Sequence, residues 1–337
     1  MGLMSLRTLV FTSGLFALAS CVTHGPPPTP LTVLGAPLAE AEHPRATRTI
    51  ISHPEVEYLH TSCRESDEAP FETYCGRTLS VPFDPLEVDA NAVLVADIVR
   101  TTPYSSPSDE LIAWSNTNGV LLQWPCDVDV PPEIQYLACT FEGISDMAHL
   151  KTARDLKVLR LRTRFEVKRG VLTASHVEHL EHLEHLHHLD VGQLFVTDDA
   201  LEGIGGLEQL GYLNLSSQGR YTHAGLRHLS GLPRLQYLIL AGFSLDGQGL
   251  EVLRDFESLP YLRYLDVGNA KLRDGDLSTL RRMSSLTYLE ISNNYFGIDG
   301  LEEIARVRTL RIVRFHNQSS LAEQMRELRP DLDVRSN

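Results

Sequence analysis

The chain has 337 residues, a formal net charge of −14 and a hydrophobic fraction of 42%. A strongly acidic chain is repelled by nucleic acid and by anionic lipid headgroups, so neither is expected as a direct partner. The length leaves room for one large repeat domain with a cap, or for two small domains.

Residues 1–20 predict a signal peptide. Arg7 is followed by an apolar run from Thr8 to Ala19, which is too short to span a bilayer as a permanent helix. The run ends Leu18-Ala19-Ser20-Cys21, which resembles the lipobox of bacterial lipoproteins. The resemblance implies cleavage before Cys21 and acylation of its thiol; the alternative is an ordinary secretory signal with a chance cysteine.

The lipoprotein resemblance also implies a location in the cell envelope, with membrane contact through the lipid anchor alone. Val22 follows the cysteine where an aspartate commonly signals retention in the inner membrane. The outer membrane is therefore favoured in a diderm cell, and the periplasmic and surface faces both stay open.

Residues 21–54 predict a proline-rich linker. The stretch Gly25-Pro26-Pro27-Pro28-Thr29-Pro30 favours extended polyproline II and has little apolar surface to bury. Such a linker would hold a folded domain away from the membrane.

Four cysteines remain after the anchor, and an exported chain experiences oxidising conditions. Cys63–Cys75 is the favoured disulfide because its loop is short and polar, and Cys126–Cys139 is a second candidate. Cys139 also suits a core-facing position, where a free thiol behaves as a small hydrophobe. Residues 55–133, which show no repeat, predict an N-terminal cap region or a small β domain.

The C-terminal half repeats one pattern. Leu210-Gly-Tyr-Leu213-Asn-Leu215 recurs in several copies, and the second leucine position falls at 189, 213, 238, 265, 289 and 313, in steps of 24, 25, 27, 24 and 24 residues. The pattern resembles the leucine-rich-repeat family. The resemblance implies an α/β, right-handed solenoid over residues 134–317, with a parallel concave sheet and a helical convex side. Residues 318–337 then form a C-terminal cap.

Two columns of side chains should point away from the leucines, onto the concave face. The third motif position carries tyrosine in four consecutive repeats, and the fifth is mostly polar. The residues expected to bind a partner are Tyr212, Tyr237, Tyr264, Tyr288, Asp190, Asn214, Asp266 and Glu290.

The tyrosines suit a binding surface because they offer large, stiff, amphipathic contact area. The plainer interpretation is an aromatic ladder across the strands, and the two are not exclusive. A protein or peptide is the favoured partner. A glycan-binding module and a structural envelope component remain the alternatives.

A cluster of histidines precedes the first regular copy of the repeat. His176, His179, His182 and His185 are three residues apart, a spacing that could hold a metal on a helix, although a solvated face is favoured. Neither HExxH, GxSxG nor a glycine-rich phosphate loop occurs. No cofactor and no enzymatic activity are therefore expected, except that an activity within residues 55–133 stays open.

Overall fold

The computed structural model describes residues 32–33, 36–37, 47–50, 54, 56–61, 78–80, 86–89, 94–98, 107–125, 129–141, 147–163, 170–216, 220–245 and 247–336, with the strands before residue 107 described by their backbone. The predictions about the signal peptide, Cys21, Cys63, Cys75 and Cys126 lie outside these residues.

The fold is built on one sheet. The strands in chain order are β1 Thr32–Val33, β2 Ala36–Pro37, β3 Thr47–Ile50, β4 Val56–Thr61, β5 Thr78–Ser80, β6 Leu86–Asp89, β7 Leu94–Ile98, β8 Leu121–Pro125, β9 Tyr136–Phe141, β10 Val158–Thr163, β11 Val171–Leu172, β12 His188–Asp190, β13 Phe195–Val196, β14 Tyr212–Asn214, β15 Tyr237–Ile239, β16 Tyr264–Asp266, β17 Tyr288–Glu290, β18 Ile312–Arg314 and β19 Asp333–Arg335. Thirteen of them form a sheet in the order β19-β18-β17-β16-β15-β14-β12-β10-β9-β8-β7-β4-β5. Neighbours from β7 to β19 are parallel, whereas β4 pairs antiparallel with β5 and β7.

Short helical segments return the chain between parallel strands. The α-helices are α1 Asp109–Asn118, α2 Ala174–Val177, α3 Asp198–Gly205, α4 His223–Leu226, α5 Gly249–Asp255, α6 Ile298–Ala305 and α7 Ser319–Leu328, and the 3-10 segments are Ala148–Thr152, Arg227–Gly231, Phe256–Ser258 and Asp274–Arg282. A unit of about 24 residues leaves space for only two or three turns of helix, so these segments are short. Helix α7 lies where the C-terminal cap is predicted.

The repeating leucine sets the register of the sheet. Leu213 lies opposite Leu189 and Leu238, and Leu265 lies opposite Leu238 and Leu289. All five are fully buried between the sheet and the helical segments. Each leucine contributes about 1.5–3 kcal/mol by leaving water. The architecture is an α/β leucine-rich-repeat solenoid, as the sequence predicts.

The parallel sheet extends further toward the N-terminus than the predicted repeats. Helix α1 precedes β8, whose Leu122 and Trp124 pair with Leu137 and Cys139 of β9. Both β8 side chains are buried in the same core. The Cys139 side chain is buried and disulfide-bonded. It is the only cysteine among the described residues, so its partner lies outside them and the pairing with Cys126 stays a prediction.

The turns after β15, β16, β17 and β18 use a left-handed residue at the eighth motif position. Gly242, Asn269, Asn293 and Asn317 have φ of 82°, 58°, 54° and 59°. Glycine and asparagine tolerate this conformation best, which explains their presence there.

The ninth position closes the turn by hydrogen bonds. Asn294 Nδ2 donates to the carbonyl oxygens of Val267, Ile291 and Ser292, at 2.9, 2.8 and 3.2 Å. Its Oδ1 accepts from the Leu272 amide at 2.9 Å. The side chain therefore joins two repeats.

A glutamine performs a similar role one repeat further along. Gln318 Oε1 accepts from the Asn293 amide at 2.8 Å, and its Nε2 donates to the Asn294 carbonyl at 3.3 Å. The longer side chain of glutamine also lets its amide reach the preceding turn.

Aspartates at the helix starts bind the neighbouring repeat. Asp198 accepts from the backbone amide and hydroxyl of Thr222, at 2.6 and 2.8 Å. Asp274 accepts from the amides of Gly297 and Gly300, at 2.7 and 2.8 Å. These aspartates cap the next unit because stacking brings successive helix starts side by side.

Candidate functional site

A second apolar cluster lies on the side of the sheet away from the helices. It contains Tyr212, Tyr264, Tyr288 and Ile239, and Tyr237 packs against it. Strand alternation explains the placement, since the leucine beside each tyrosine enters the core between sheet and helices. We call this surface, with the fifth-position side chains beside it, the tyrosine face.

The tyrosines form a continuous stack across four strands. Ring centroids are 6.3 Å apart for Tyr212 and Tyr237, 5.9 Å for Tyr237 and Tyr264, and 4.5 Å for Tyr264 and Tyr288. His188 extends the stack, because its ring lies 3.9 Å from that of Tyr212 at an angle of 7°. The predicted contact between neighbouring rings is confirmed, and the stack is one residue longer than the sequence indicates.

The stack is deeply buried. Tyr212 is 0% exposed, Tyr264 5% and Tyr288 8%, while Tyr237 is half-buried. Burial raises the pKa of Tyr237 to about 12, against a smaller opposing effect of Arg263. Burial also raises the pKa values of Tyr212 and Tyr264 well above their usual range, and nearby carboxylates add to the effect. The tyrosine hydroxyl groups therefore stay protonated, and the stack carries no negative charge of its own.

Ion pairs hold two carboxylates of the fifth-position row. Arg160 Nε lies 2.8 Å from Asp190 Oδ2, and Arg314 Nε lies 3.4 Å from Glu290 Oε2. All four side chains are buried. Removing one partner of such a pair leaves a buried charge uncompensated, at a cost of about 3–5 kcal/mol. The two pairs therefore fix the ends of the row.

The same row also ends the strands. Asp190, Asn214, Asp266 and Glu290 each accept, through a side-chain oxygen, the backbone amide two residues later. The distances are 3.1, 2.8, 2.9 and 3.0 Å. Each side chain thus satisfies an amide where the strand turns away, so the row has a structural task whatever else it contacts.

The structure gathers all eight predicted partner-binding residues on one face. Sequence reasoning did not include His188, Arg160 and Arg314 in the site, although their motif positions indicate them. His188 occupies position three, and the arginines occupy position five. The deep burial of the tyrosines could not be predicted from the sequence. The strand pattern predicts which face of the sheet a side chain lies on, but not how much of the side chain its neighbours cover.

The histidine cluster does not lie on one helix. Helix α2 ends at Val177, and amides of Leu180, Leu183 and Leu186 then bond to carbonyls three residues back. Buried leucines fill every third position, and His182 and His185 are exposed. Among the described residues, no three histidine, cysteine, aspartate or glutamate side chains form a group that could hold a metal.

Large apolar side chains are also exposed away from the tyrosine face. Tyr295 is 66% exposed, Ile298 50% and Leu328 43%.

In the described part of the chain, no helix is both long and apolar enough to cross a membrane.

Comparison with known proteins finds distant likenesses among solved structures. No family model matches the sequence, and no curated protein matches it. Among solved structures, an internalin (InlF) from Listeria monocytogenes is 15% identical with a TM-score of 0.40, and the match covers 66% of this chain and 75% of the internalin.

The plant peptide hormone receptor RGFR1, in complex with RGF2, is 13% identical with a TM-score of 0.37. That match covers 65% of this chain and 31% of the receptor, so the chain corresponds to about a third of the receptor's length. The assignment of the fold here depends on the chain's own strand register and core.

Proposed function

We propose that this protein is a recognition protein that binds a protein or peptide partner through the tyrosine face. The observation that carries the proposal is the second apolar cluster, which a solenoid does not need for its own core. The leucine column already closes the space between sheet and helices. Four tyrosines on the opposite side form an additional apolar cluster, and the half-buried Tyr237 and Asp266 are the parts of this face that a partner can reach.

The rigidity of the stack favours tight binding. Each ring is held between its neighbours, so its rotamer is fixed before a partner arrives. Immobilising a flexible side chain costs about 0.5–1.5 kcal/mol on binding, and a side chain that is already fixed avoids this cost. Tyr237 and Asp266 are the least buried members of the two columns. We assign them the central contacts.

The test is affinity capture from an envelope extract with three baits. These are the mature chain, the same chain with Tyr237→Ala and Tyr264→Ala, and a control with Tyr295→Ala. Tyr295 is a tyrosine that is exposed elsewhere on the protein. A partner retained by the first and third baits but lost from the second supports the tyrosine face.

The other outcomes separate the alternatives. Equal retention by all three baits places binding elsewhere and contradicts the proposal. Retention of a glycan and no protein favours the glycan-binding alternative. A partner that copurifies in fixed proportion through every step favours the structural envelope alternative.

We also propose that the mature chain is anchored through a lipid on Cys21 in the cell envelope, at the outer membrane of a diderm cell. The proposal depends on the lipobox of residues 18–21. Metabolic labelling with palmitate should mark the wild-type chain and not Cys21→Ser. Labelling of both would contradict acylation at this thiol, and fractionation of the membranes tests the location.

A further inference from the structure

The tyrosine face and the second-position side chains beside it carry more positive than negative charge. The whole chain, by contrast, has a net charge of −14. At motif positions two, three and five of the strands from β10 to β18, the charged side chains are the cations Lys157, Arg160, Arg263, Arg311 and Arg314 and the carboxylates Asp190, Asp266 and Glu290. The protein as a whole therefore attracts basic partners, whereas this face favours an acidic one.

The second-position row supplies the excess of positive charge. The arginines at the two ends of the fifth-position row already neutralise Asp190 and Glu290 through buried ion pairs. The second-position row of these strands holds three cations and, in the sequence, no carboxylate. Its members Lys157, Arg263 and Arg311 lie near one end, near the middle and near the other end of the face.

Arg263 lies beside Tyr237, the half-buried ring of the stack. The amides of Arg263 and Tyr264 both donate to the Gln236 carbonyl, at 2.9 and 3.0 Å, so Arg263 is one strand away from Tyr237. Its guanidinium is close enough to oppose the effect of burial on the pKa of Tyr237. Arg263 is itself half-buried, and within the part of the chain that the structure describes no carboxylate forms an ion pair with it.

Arg263 and Tyr237 together form a pair of donors that suits an anionic group. A guanidinium presents its N–H groups in a planar fork that matches the two oxygens of a carboxylate. The Tyr237 hydroxyl stays protonated, because burial raises its pKa to about 12, and can donate to the same carboxylate. Hydrogen bonds to an ionised acceptor are stronger than those between neutral groups, so this pair would contribute much of the selectivity.

Asp266 limits how much negative charge a partner can present. It lies three residues beyond Arg263, about 10 Å along an extended strand. Its Oδ1 accepts from the Gly268 amide at 2.9 Å, so the carboxylate is held in place. Salt screens charges over roughly 8–10 Å, so Asp266 repels a single acid bound at Arg263 only weakly but repels a run of acids more strongly.

We infer that the partner of the tyrosine face is a peptide segment with an acidic side chain, which binds Arg263 and Tyr237. The inference rests on the proposed function and deepens it, since it assigns the chemistry of the partner at the same face. The stack supplies the apolar contact, and Arg263 selects acidic over basic segments.

A peptide array tests the inference with the mature chain carrying Cys21→Ser, which removes the proposed site of acylation. The array presents random dodecapeptides with amidated C-termini, so that side chains supply every carboxylate. The variants Arg263→Gln and Asp266→Asn each remove one charge. Each introduces the residue that another repeat has at the same motif position, Gln236 and Asn214, so both variants should fold.

Two further variants make the array specific to this face. Peptides that bind Tyr237→Ala as well as the parent chain are set aside, because they contact other parts of the acidic protein. Arg254→Gln is the matched control for the loss of one positive charge, because Arg254 is an exposed arginine of helix α5, on the helical side. Thermal midpoints are compared for all variants to confirm that they are folded.

The remaining bound peptides should be enriched in aspartate and glutamate. Arg263→Gln should weaken their binding about tenfold, and Arg254→Gln should leave it unchanged. Asp266→Asn should strengthen it about twofold, the size of a unit-charge repulsion across ~10 Å of water. Replacing the acids of a bound peptide by asparagine and glutamine should abolish the difference between the parent chain and Arg263→Gln.

Three results would overturn the inference. These are enrichment of basic or uncharged peptides, the absence of any bound peptide, and an equal loss of binding in Arg263→Gln and Arg254→Gln, which would reflect overall charge. The capture experiment is decided separately by its variant of Tyr237 and Tyr264. A partner that is lost from that bait but still captured by Arg263→Gln leaves the proposed function standing while the acidic peptide is rejected.

Discussion

Acid should destabilise the protein through two histidines at the end of the tyrosine stack. Burial lowers the pKa of His187 from 6.5 to about 4, with a smaller contribution from Lys157. His188 is buried against Tyr212, and burial lowers its pKa well below the usual range, assisted by His187 and Arg160. Both imidazoles therefore stay neutral in the folded protein at mildly acidic pH.

The sign follows from which state takes up protons. The unfolded chain protonates these histidines as the pH falls through 6.5, whereas the folded chain does not. The free energy of unfolding therefore falls with decreasing pH below 6.5, and the contribution of His187 levels off below pH 4. A shift from 6.5 to about 4 corresponds to about 3 kcal/mol in total at His187, of which about 2 kcal/mol is lost by pH 5. His188 adds a loss of the same sign.

Urea unfolding followed by circular dichroism at pH 7.5 and pH 5 measures this loss. We expect the wild type to lose about 2 kcal/mol more between the two pH values than His187→Gln does. His182→Gln is the matched control, since His182 is exposed in the same stretch of chain. It should behave as the wild type. If His187→Gln loses as much stability as the wild type, His187 is not buried in its neutral form and the reasoning fails.

Two further predictions concern the contacts between repeats. Asn294→Ala should lower the free energy of unfolding by about 3 kcal/mol, because buried carbonyl and amide groups lose their partner, whereas Asn293→Gly should change it by less than about 0.5 kcal/mol. A similar loss in both variants, measured by urea unfolding, would show that the ninth position has no special role. Gly225→Ala should cost about 1–3 kcal/mol, since its Cβ would lie 2.9 Å from Asp198 Cα, while Gly275→Ala meets nothing within 4 Å and should be neutral. Equal thermal midpoints for the two alanine variants would contradict the close packing of neighbouring units.

Much of the fold can be predicted because one repeating side chain determines it. A leucine at every copy of the fourth motif position must face the core, and this alone fixes the strand register from Leu189 to Leu289. Once the register is fixed, alternation places the tyrosines together on the other side. The residues of the candidate site therefore follow from the sequence, together with the contact between their rings.

The remaining features depend on contacts that no local pattern encodes. Strand β8 continues the sheet without the leucine motif, because Leu122 and Trp124 fill the core in place of the repeating leucine. The arginine partners of Asp190 and Glu290 lie about 24–30 residues away in sequence and become neighbours only through stacking. The burial of Tyr212 likewise depends on what lies above the sheet, which the strand pattern does not specify.

Each repeat contributes one ring to the stack. Duplication or loss of a repeat in the gene would therefore change the length of this surface by one ring at a time. Each strand from β14 to β17 contributes one tyrosine at the same register position. Duplicating one such unit would add one more ring, and deleting one would shorten the surface by a strand spacing of about 4.8 Å. Proteins with different numbers of such units would therefore bind ligands of different lengths through the same local contacts.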